Sequence, residues 1–232
     1  MRIVIIGDGK MGRAVASLAE ARGHVIHALV GGGENASGRA LTAERLKGAD
    51  VAVEFTRPDA AVANLERLVD AGVPVVTGTT GWLDQLPRVT AHVERCGGAL
   101  LHAANFSFGV HLFLRAARDL AARFAGHPEF DAFILEEHHA AKLDAPSGTA
   151  RELRQRVRAS DPARDFPITS IRAGTTPGTH LVAYDGQYER VTLAHVARSR
   201  GGFAAGALAA AEWLPGRRGV FTVEDMLFGG SG

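Results

Sequence analysis

A chain of 232 residues, 46% of them hydrophobic, is long enough to bury the core of one large α/β domain or of two modest ones and to carry an enzyme site. Its formal net charge of +1, without any block of like charges, leaves no electrostatic footprint for nucleic acid and points to small-molecule partners. Cys96 is the one cysteine, which excludes an intrachain disulfide, and the apolar run after Arg2 is too short for a signal-peptide core or a membrane span, so a cytoplasmic protein with no membrane partner is expected.

Residues 3–6, Ile-Val-Ile-Ile, form a β-branched run closed by glycine, the pattern of a parallel strand buried on both faces. The run opens into Gly7-Asp8-Gly9-Lys10-Met11-Gly12, a GxGxxG, and then into a helix with Met11, Val15 and Leu18 at helical spacing. Gly23 closes that helix before a second strand over 25–30. Glycines placed between a first strand and a helix suit a tight turn, close backbone approach to a pyrophosphate and close helix packing, so a dinucleotide site is expected here. The alternation continues with a strand over 51–55, a helix over 58–71, a strand over 73–76, a helix over 83–95 and a fifth strand over 99–103. This order predicts a parallel, doubly wound sheet whose ligand binds outside the carboxyl ends of the strands. The loops at those ends are 7–12, 55–57, Gly78-Thr79-Thr80-Gly81 and Asn105-Phe106-Ser107-Phe108-Gly109. The last two combine glycine with hydroxyl or amide side chains, apt for a ribose or a nicotinamide amide and equally for ordinary turns.

After Val110 the pattern changes to a long helix over 110–125 and a strand over 130–137. That strand feeds Glu136-Glu137-His138-His139-Ala140-Ala141-Lys142-Leu143-Asp144-Ala145-Pro146-Ser147-Gly148-Thr149-Ala150, where chemically capable side chains are densest. Ser147 reads as the N-cap of a helix running on to Val157, and a helix start presents unpaired N–H groups to an anion such as a carboxylate. Taken alone, the His pair also fits a hydrogen-bonded loop. A metal held by His138, His139 and Glu136 or Asp144 is disfavoured, because adjacent histidines on an extended segment point apart and no cysteine pair completes a tetrahedral set. Strands follow over 169–173, 178–184 and 188–196, the last two joined by the turn signal Asp185-Gly186, then an alanine-rich helix over 202–214 and a strand over 220–223. The expected fold class is α/β, with a doubly wound Rossmann domain over 1–107 plus 204–232. A smaller α+β domain with a mixed or antiparallel sheet is expected over 108–203.

Taken together, Gly7 to Gly12, Gly78 to Gly81, Asn105 to Val110, the Glu137 to Ala150 motif, and Ser199-Arg200 with Phe203 resemble the 4-hydroxy-tetrahydrodipicolinate (dihydrodipicolinate) reductase family over essentially the whole chain. The resemblance implies an NADH- or NADPH-dependent reductase of lysine and diaminopimelate synthesis that delivers a hydride to a cyclic dicarboxylate, with a proton following at the neighbouring carbon. It assigns catalysis to His138 and Lys142, and substrate binding to His139, Ser147, Gly148 and Thr149. It assigns cofactor binding to Gly7, Asp8, Gly9, Lys10, Met11, Gly12, Gly78, Thr79, Thr80, Ala103, Ala104, Asn105 and Phe106, with no metal, and it implies a homotetramer. The residue types agree: Lys142 and the amides of Gly148 and Thr149 supply positive potential for two carboxylates, and a histidine titrates where proton transfer needs it. The chain departs from the family where an acid often binds the adenosine ribose. Val30-Gly31-Gly32-Gly33 stands there, Glu34 lies several residues on and no arginine matches a 2′-phosphate, so dual use of NADH and NADPH is expected. Two competing readings are another two-domain Rossmann dehydrogenase, which would not require His138, His139 and Lys142 before the helix start, and a dinucleotide-sensing regulator, which would bind the nucleotide without oxidising it.

Overall fold

The β-branched run after Arg2 becomes β1 (Arg2–Ile6), its last four residues buried on both sides. In the computed structural model, which describes residues 1–229, it is followed by α1 (Lys10–Ala21), β2 (Val25–Val30), α2 (Ala43–Leu46), β3 (Val51–Glu54), α3 (Pro58–Asp70), β4 (Val75–Thr77), α4 (Leu86–Cys96) and β5 (Ala99–His102). Next come α5 (Phe108–Phe124), β6 (Asp131–His138), α6 (Gly148–Ser160), β7 (Ile168–Arg172), β8 (Thr179–Asp185) and β9 (Arg190–Val196). The chain ends with α7 (Gly201–Trp213), β10 (Gly219–Phe221) and α8 (Val223–Phe228). It divides into two compact units, one formed by Met1–Phe108 with the chain from Gly201 onward, the other by Gly109–Arg200. Residues 230–232, the end of the expected first-domain return, lie outside the described residues. Among the described residues no helix is long and apolar enough to cross a membrane.

The first unit is an α/β layer structure around a six-stranded, all-parallel sheet in the order β10-β5-β4-β3-β1-β2. Strand order reverses between β1 and β3, so the loops after Ile6 and Glu54 open at a topological switch point, where such sheets bind ligands. One face is covered by α1 and α7, the latter burying Ala204, Gly206, Ala207, Leu208, Ala210 and Ala211. Small residues are required there: a Cβ on Gly206 would stand 1.7 Å from the Phe106 carbonyl oxygen. The other face buries Leu65 and Leu68 of α3 with Val89 and Val93 of α4.

The second unit packs α5 and α6 on a four-stranded sheet in the order β7-β6-β8-β9, parallel between β6 and β7 and antiparallel elsewhere. Along β6 burial alternates strictly. The period of two that places Ala132 and Ile134 in the core therefore carries Glu136 and His138 inward on the same face.

Two local expectations change. The strand expected over 220–223 stops at Phe221, because Thr222 caps α8: its hydroxyl accepts from the Asp225 amide while the Asp225 carboxylate accepts from the Thr222 amide, a capping box. The helix expected over 83–95 starts as a 3-10 turn at Leu83–Gln85 and becomes α-helical at Leu86, with Pro87 in the first turn where a missing N–H costs nothing. The short α2, capped by the Thr42 hydroxyl, was too brief to leave a periodic signal.

Candidate active site

In the first unit the loops after β1, β3 and β4 come together around a cavity of about 410 Å3 lined by Gly9, Lys10, Met11, Phe55, Thr56, Pro58, Gly78, Thr79 and Thr80. Gly7 and Gly12 shape the turn that carries Gly9, Lys10 and Met11 to it. Gly7 has φ +101° and a Cβ there would stand 1.9 Å from the Phe55 carbonyl oxygen, while a Cβ on Gly12 would stand 1.8 Å from the Gly7 oxygen. Gly9, by contrast, faces open space, which leaves its backbone accessible to a phosphate at the start of α1. The residues therefore fit a dinucleotide, and this is the fit expected of the motif.

Other residues of the expected cofactor set sit at the edges of this arrangement. Asp8 flanks Gly31 at the end of β2 and pairs with Arg13 at 3.8 Å. Ala103 donates its amide to the Thr77 carbonyl just past β5, with Ala104 next in the chain. The Asn105 side chain accepts from the Ser107 amide, and Phe106 is buried with its ring edge-on to Phe55 at 5.9 Å. Phe55, Thr56 and Pro58, which line the cavity, were not in the expected set; their loop position was legible but not their contact.

Beneath the cavity a carboxyl group is fully buried. Glu54 accepts from the Thr56 and Thr77 hydroxyls and from the Asn64 amide. The Thr56 amide in turn donates to the Thr79 hydroxyl at 2.7 Å, so the two loops are bonded to each other and to one buried anchor.

In the second unit β6 ends at His138, which is buried, and the chain turns at His139, half-buried, whose amide bonds to the Thr176 carbonyl. Lys142 follows on the turn, paired with Asp144 at 2.6 Å. Ser147 then caps α6, its hydroxyl accepting from the Ala150 amide. That hydroxyl also meets His180 Nε2 at 3.0 Å, and the Ser147 amide donates to Glu136, so both polar groups of Ser147 are used inside the protein. Gly148 and Thr149 occupy the first helical turn, where amides have no i−4 carbonyl.

Glu136 gathers these pieces. It is fully buried; its Oε1 accepts from the Ser147 amide at 3.0 Å, the Ser170 hydroxyl at 2.6 Å and Arg172 Nη2 at 2.6 Å, and its Oε2 lies 2.7 Å from His138 Nδ1. Burial alone would raise its pKa, but the bonds from Ser170, Arg172 and Ser147 outweigh this and hold it at about 2. Burial lowers the pKa of His138, opposed by Glu136 and reinforced by Lys142 and Arg172. His180 packs edge-on to His138, ring centroids 5.1 Å apart, and burial with the neighbouring His138 pushes it down to about 4.

Glu136, His138 and His180 offer ligand atoms within 4.8 Å of one another, as do Asp70, His92 and Cys96. Neither trio suits a cation. Arg172 already occupies Glu136, and His92 is bonded by Asp70 on one nitrogen at 2.8 Å and by Arg95 on the other at 2.7 Å. Of the network, His138, Lys142 and Ser147 were marked by the sequence. Glu136 was legible as the residue two before His138 on one strand face, whereas Ser170, Arg172 and His180 come from strands whose register no local spacing reveals.

Comparisons with known proteins cover the whole arrangement. Residues 1–106 match the family described as "Dihydrodipicolinate reductase, N-terminus" and residues 109–227 the one described as "Dihydrodipicolinate reductase, C-terminus". A 4-hydroxy-tetrahydrodipicolinate reductase of Christiangramia forsetii is 34% identical over 98% of each chain. One of Methanopyrus kandleri is 38% identical over 79% of this chain and 73% of its own. Among solved structures, a dipicolinate-bound dihydrodipicolinate reductase from Paenisporosarcina sp. TG-14 superposes with a TM-score of 0.82 at 24% identity, covering 98% of this chain and 100% of that one. That likeness establishes the shared fold.

The depressed pKa of His180 has a consequence for stability. The unfolded chain takes up this proton near pH 6.5 and the folded chain only near pH 4, so the contribution of neutral His180 is complete above pH 6.5 and is lost as pH falls toward 4. The melting temperature should fall across that window in the wild type and fall less steeply in His180→Gln. Equal slopes in the two proteins would show that His180 is not held neutral.

Proposed function

The chain belongs to the dihydrodipicolinate reductase family, and from that premise we propose that it reduces 4-hydroxy-tetrahydrodipicolinate to tetrahydrodipicolinate with a nicotinamide nucleotide, in lysine and diaminopimelate synthesis. The observation that carries this reading to individual residues is the joining of His138 to the N-terminus of α6 through Glu136 and Ser147. A proton donor and an anion seat are thereby held in one piece of structure. A cytoplasmic location follows from the reading as a biosynthetic enzyme and agrees with a single exposed thiol.

In this reading the glycine loop of residues 7–12 holds the pyrophosphate, and Gly78, Thr79 and Thr80 line the remainder of the cofactor cavity. Asn105 and Phe106 shape the end of β5 beside them in the chain order of the sheet. The bound nucleotide supplies the hydride. The protein supplies everything else. The amides of Gly148 and Thr149 and the ring of His139 take a substrate carboxylate at the positive end of α6. Ser147 acts by fixing that helix start, since its own hydroxyl and amide are occupied. Lys142 exchanges the exposed Asp144 carboxylate for one of the substrate, a swap between like charges that costs little electrostatically. His138 gives a proton to the substrate carbon next to the one reduced.

Support for dual cofactor use comes from the end of β2. Glu34, several residues beyond the strand in sequence, folds back so that its carboxylate accepts from the Gly31 amide at 3.2 Å and from both terminal nitrogens of Arg45 at 2.9 and 3.0 Å. The bond from Arg45 holds the Glu34 carboxyl below the usual range. Acid and arginine thus satisfy one another, which leaves neither a dedicated acceptor for a ribose diol nor a dedicated cation for a 2′-phosphate.

Support for a homotetramer is the edge strand β9. Val191 and Val196 are exposed, as is Tyr188 in the turn before it, and an apolar sheet edge is a surface for pairing.

The test of the activity is a coupled assay in which dihydrodipicolinate synthase makes the substrate and nucleotide absorbance is followed; folded protein that oxidises neither NADH nor NADPH would sink the proposal. In that assay His138→Gln should lower kcat by about 10²–10⁴ with little change in KM, His139→Gln and Thr149→Val should chiefly raise KM, and Lys142→Ala should damage both. Residues that only shape a loop would instead lose stability and activity together, so each variant is checked for an unchanged melting transition. The two nucleotides should give kcat/KM values within roughly tenfold, because a larger ratio requires a net charge-assisted hydrogen bond to one ribose only. Light scattering should return four times the chain mass, and a monomer would remove the assembly from the reading.

A further inference from the structure

The two oxygens of Glu136 do different work. Oε1 is saturated by the Ser147 amide, the Ser170 hydroxyl and Arg172, while Oε2 is directed at His138 Nδ1. We propose that Glu136 is the positioning residue of this site: it keeps a proton on His138 Nδ1 throughout the cycle, so that the proton which moves is the one on Nε2. It also ties that imidazole to the first turn of α6, where the substrate carboxylate docks. The inference rests on His138 being the proton donor.

Three observations carry it. Glu136 Oε2 lies 2.7 Å from His138 Nδ1, and neither of these buried atoms meets a partner in hydrogen-bond geometry, so a proton on Nδ1 turned toward Oε2 is the one group that satisfies both, while Glu136 is fully buried among donors that keep it ionised. The other ring nitrogen faces a gap that the sequence leaves open: a Cβ on Gly178 would stand 2.9 Å from His138 Nε2, so glycine at 178 leaves that nitrogen unblocked. Finally, the oxygen that does not meet His138 accepts from the Ser147 amide immediately before Gly148 and Thr149, so a shift of the helix start and a shift of the imidazole are mechanically one event. In the proton-transfer step the Nε2–H bond breaks and a substrate C–H bond forms. His138 passes from imidazolium to the neutral Nδ1–H imidazole, and solvent returns the proton.

The charged and titratable groups around His138 have opposite influences. Glu136 on β6 raises its pKa, while Lys142 on the following turn and Arg172 on β7 lower it, and His180 on β8 lies across its ring. Loss of the Glu136 charge should therefore move the alkaline limb of kcat/KM, where the donor is lost, to lower pH. Loss of the Arg172 charge should move it to higher pH. A purely structural role cannot reverse sign in this way.

The experiment compares wild type, Glu136→Gln, Arg172→Gln and the Glu136→Gln/Arg172→Gln double variant, the last because removing both members of a buried pair leaves no unpaired charge to unfold the protein. Two readouts are taken: the ring nitrogen shifts of His138 in histidine-labelled protein, which report the tautomer without turnover, and the pH profile of kcat/KM. The proposal expects the Nδ1–H tautomer in wild type and Arg172→Gln, and its loss in both variants lacking Glu136. It expects kcat to fall at least about tenfold in Glu136→Gln. The alkaline limb should be displaced by at least about half a pH unit, downward in Glu136→Gln and upward in Arg172→Gln. A folded Glu136 variant that keeps the Nδ1–H tautomer, or limbs that coincide in all four proteins, overturns it. Wild-type turnover in His138→Gln would overturn it at its base, by removing the proton donor itself, and is distinguishable because the tautomer result is read independently.

Discussion

An ionised carboxylate with no solvent exposure is the constraint from which the second unit is built. Taking Glu136 out of water costs several kcal/mol before any partner is counted, and the protein offsets this only by surrounding the group with donors. Those donors have to come from different places, Ser170 and Arg172 from the parallel neighbour β7 and the Ser147 amide from the cap of α6, with His138, two residues along β6, 2.7 Å from the remaining oxygen. Arg172 also donates to the Asp144 carbonyl at 2.6 Å, which holds the turn carrying Lys142. Meeting the needs of one buried charge thus fixes the helix start, the imidazole and the lysine turn together.

The first unit also buries a carboxyl group, and does so without a cation. Glu54 ends β3 and is likewise fully buried, yet its partners are the hydroxyls of Thr56 and Thr77 and the amide of Asn64, itself bonded to Asn35. Neutral donors suffice where the task is to hold loops. Thr79, bonded by the Thr56 amide, also offers its carbonyl to the Trp82 indole at 2.8 Å, so the loop beneath the cavity is pinned from both sides. Rigid loops around a glycine turn give a preformed site, which saves the entropy of ordering them on binding.

How much of this was legible follows from the range of each signal. The parallel sheet of the first unit announced itself because its central strands β1, β3 and β4 are buried on both faces and read as apolar runs, and because glycines close the helices between them. The mixed sheet could be placed from alternation and the Asp185-Gly186 turn. What the sequence did not show is where a side chain folds back on nearby backbone: Thr222 captures the chain for a helix although its neighbours favour a strand, and Glu34 returns to Gly31 through a loop with three glycines that set no direction. Arg172 and His180 belong to the same class, since their meeting with Glu136 depends on strand order and register, neither of which is encoded locally. The chemistry was visible as a motif; the partners that make it work were not.

The contrast between the two units reflects what each must supply. A hydride arrives already loaded on a nucleotide, so the residues that hold it need only shape, backbone amides and neutral bonds, and the cavity of the first unit is lined mainly by glycine, threonine and apolar side chains. A proton has no such carrier. In the proposed reading the donor is His138, which must titrate in the working range while sitting away from bulk water, and burial by itself drives a histidine toward the neutral form. A carboxylate at Nδ1 opposes that drift, but a buried carboxylate requires its own counter-charge, and the counter-charge again depresses the histidine. The arrangement in which Arg172 binds Oε1 and His138 faces Oε2 resolves the conflict by geometry: the guanidinium satisfies the carboxylate from the far side, and the imidazole receives the nearer negative charge.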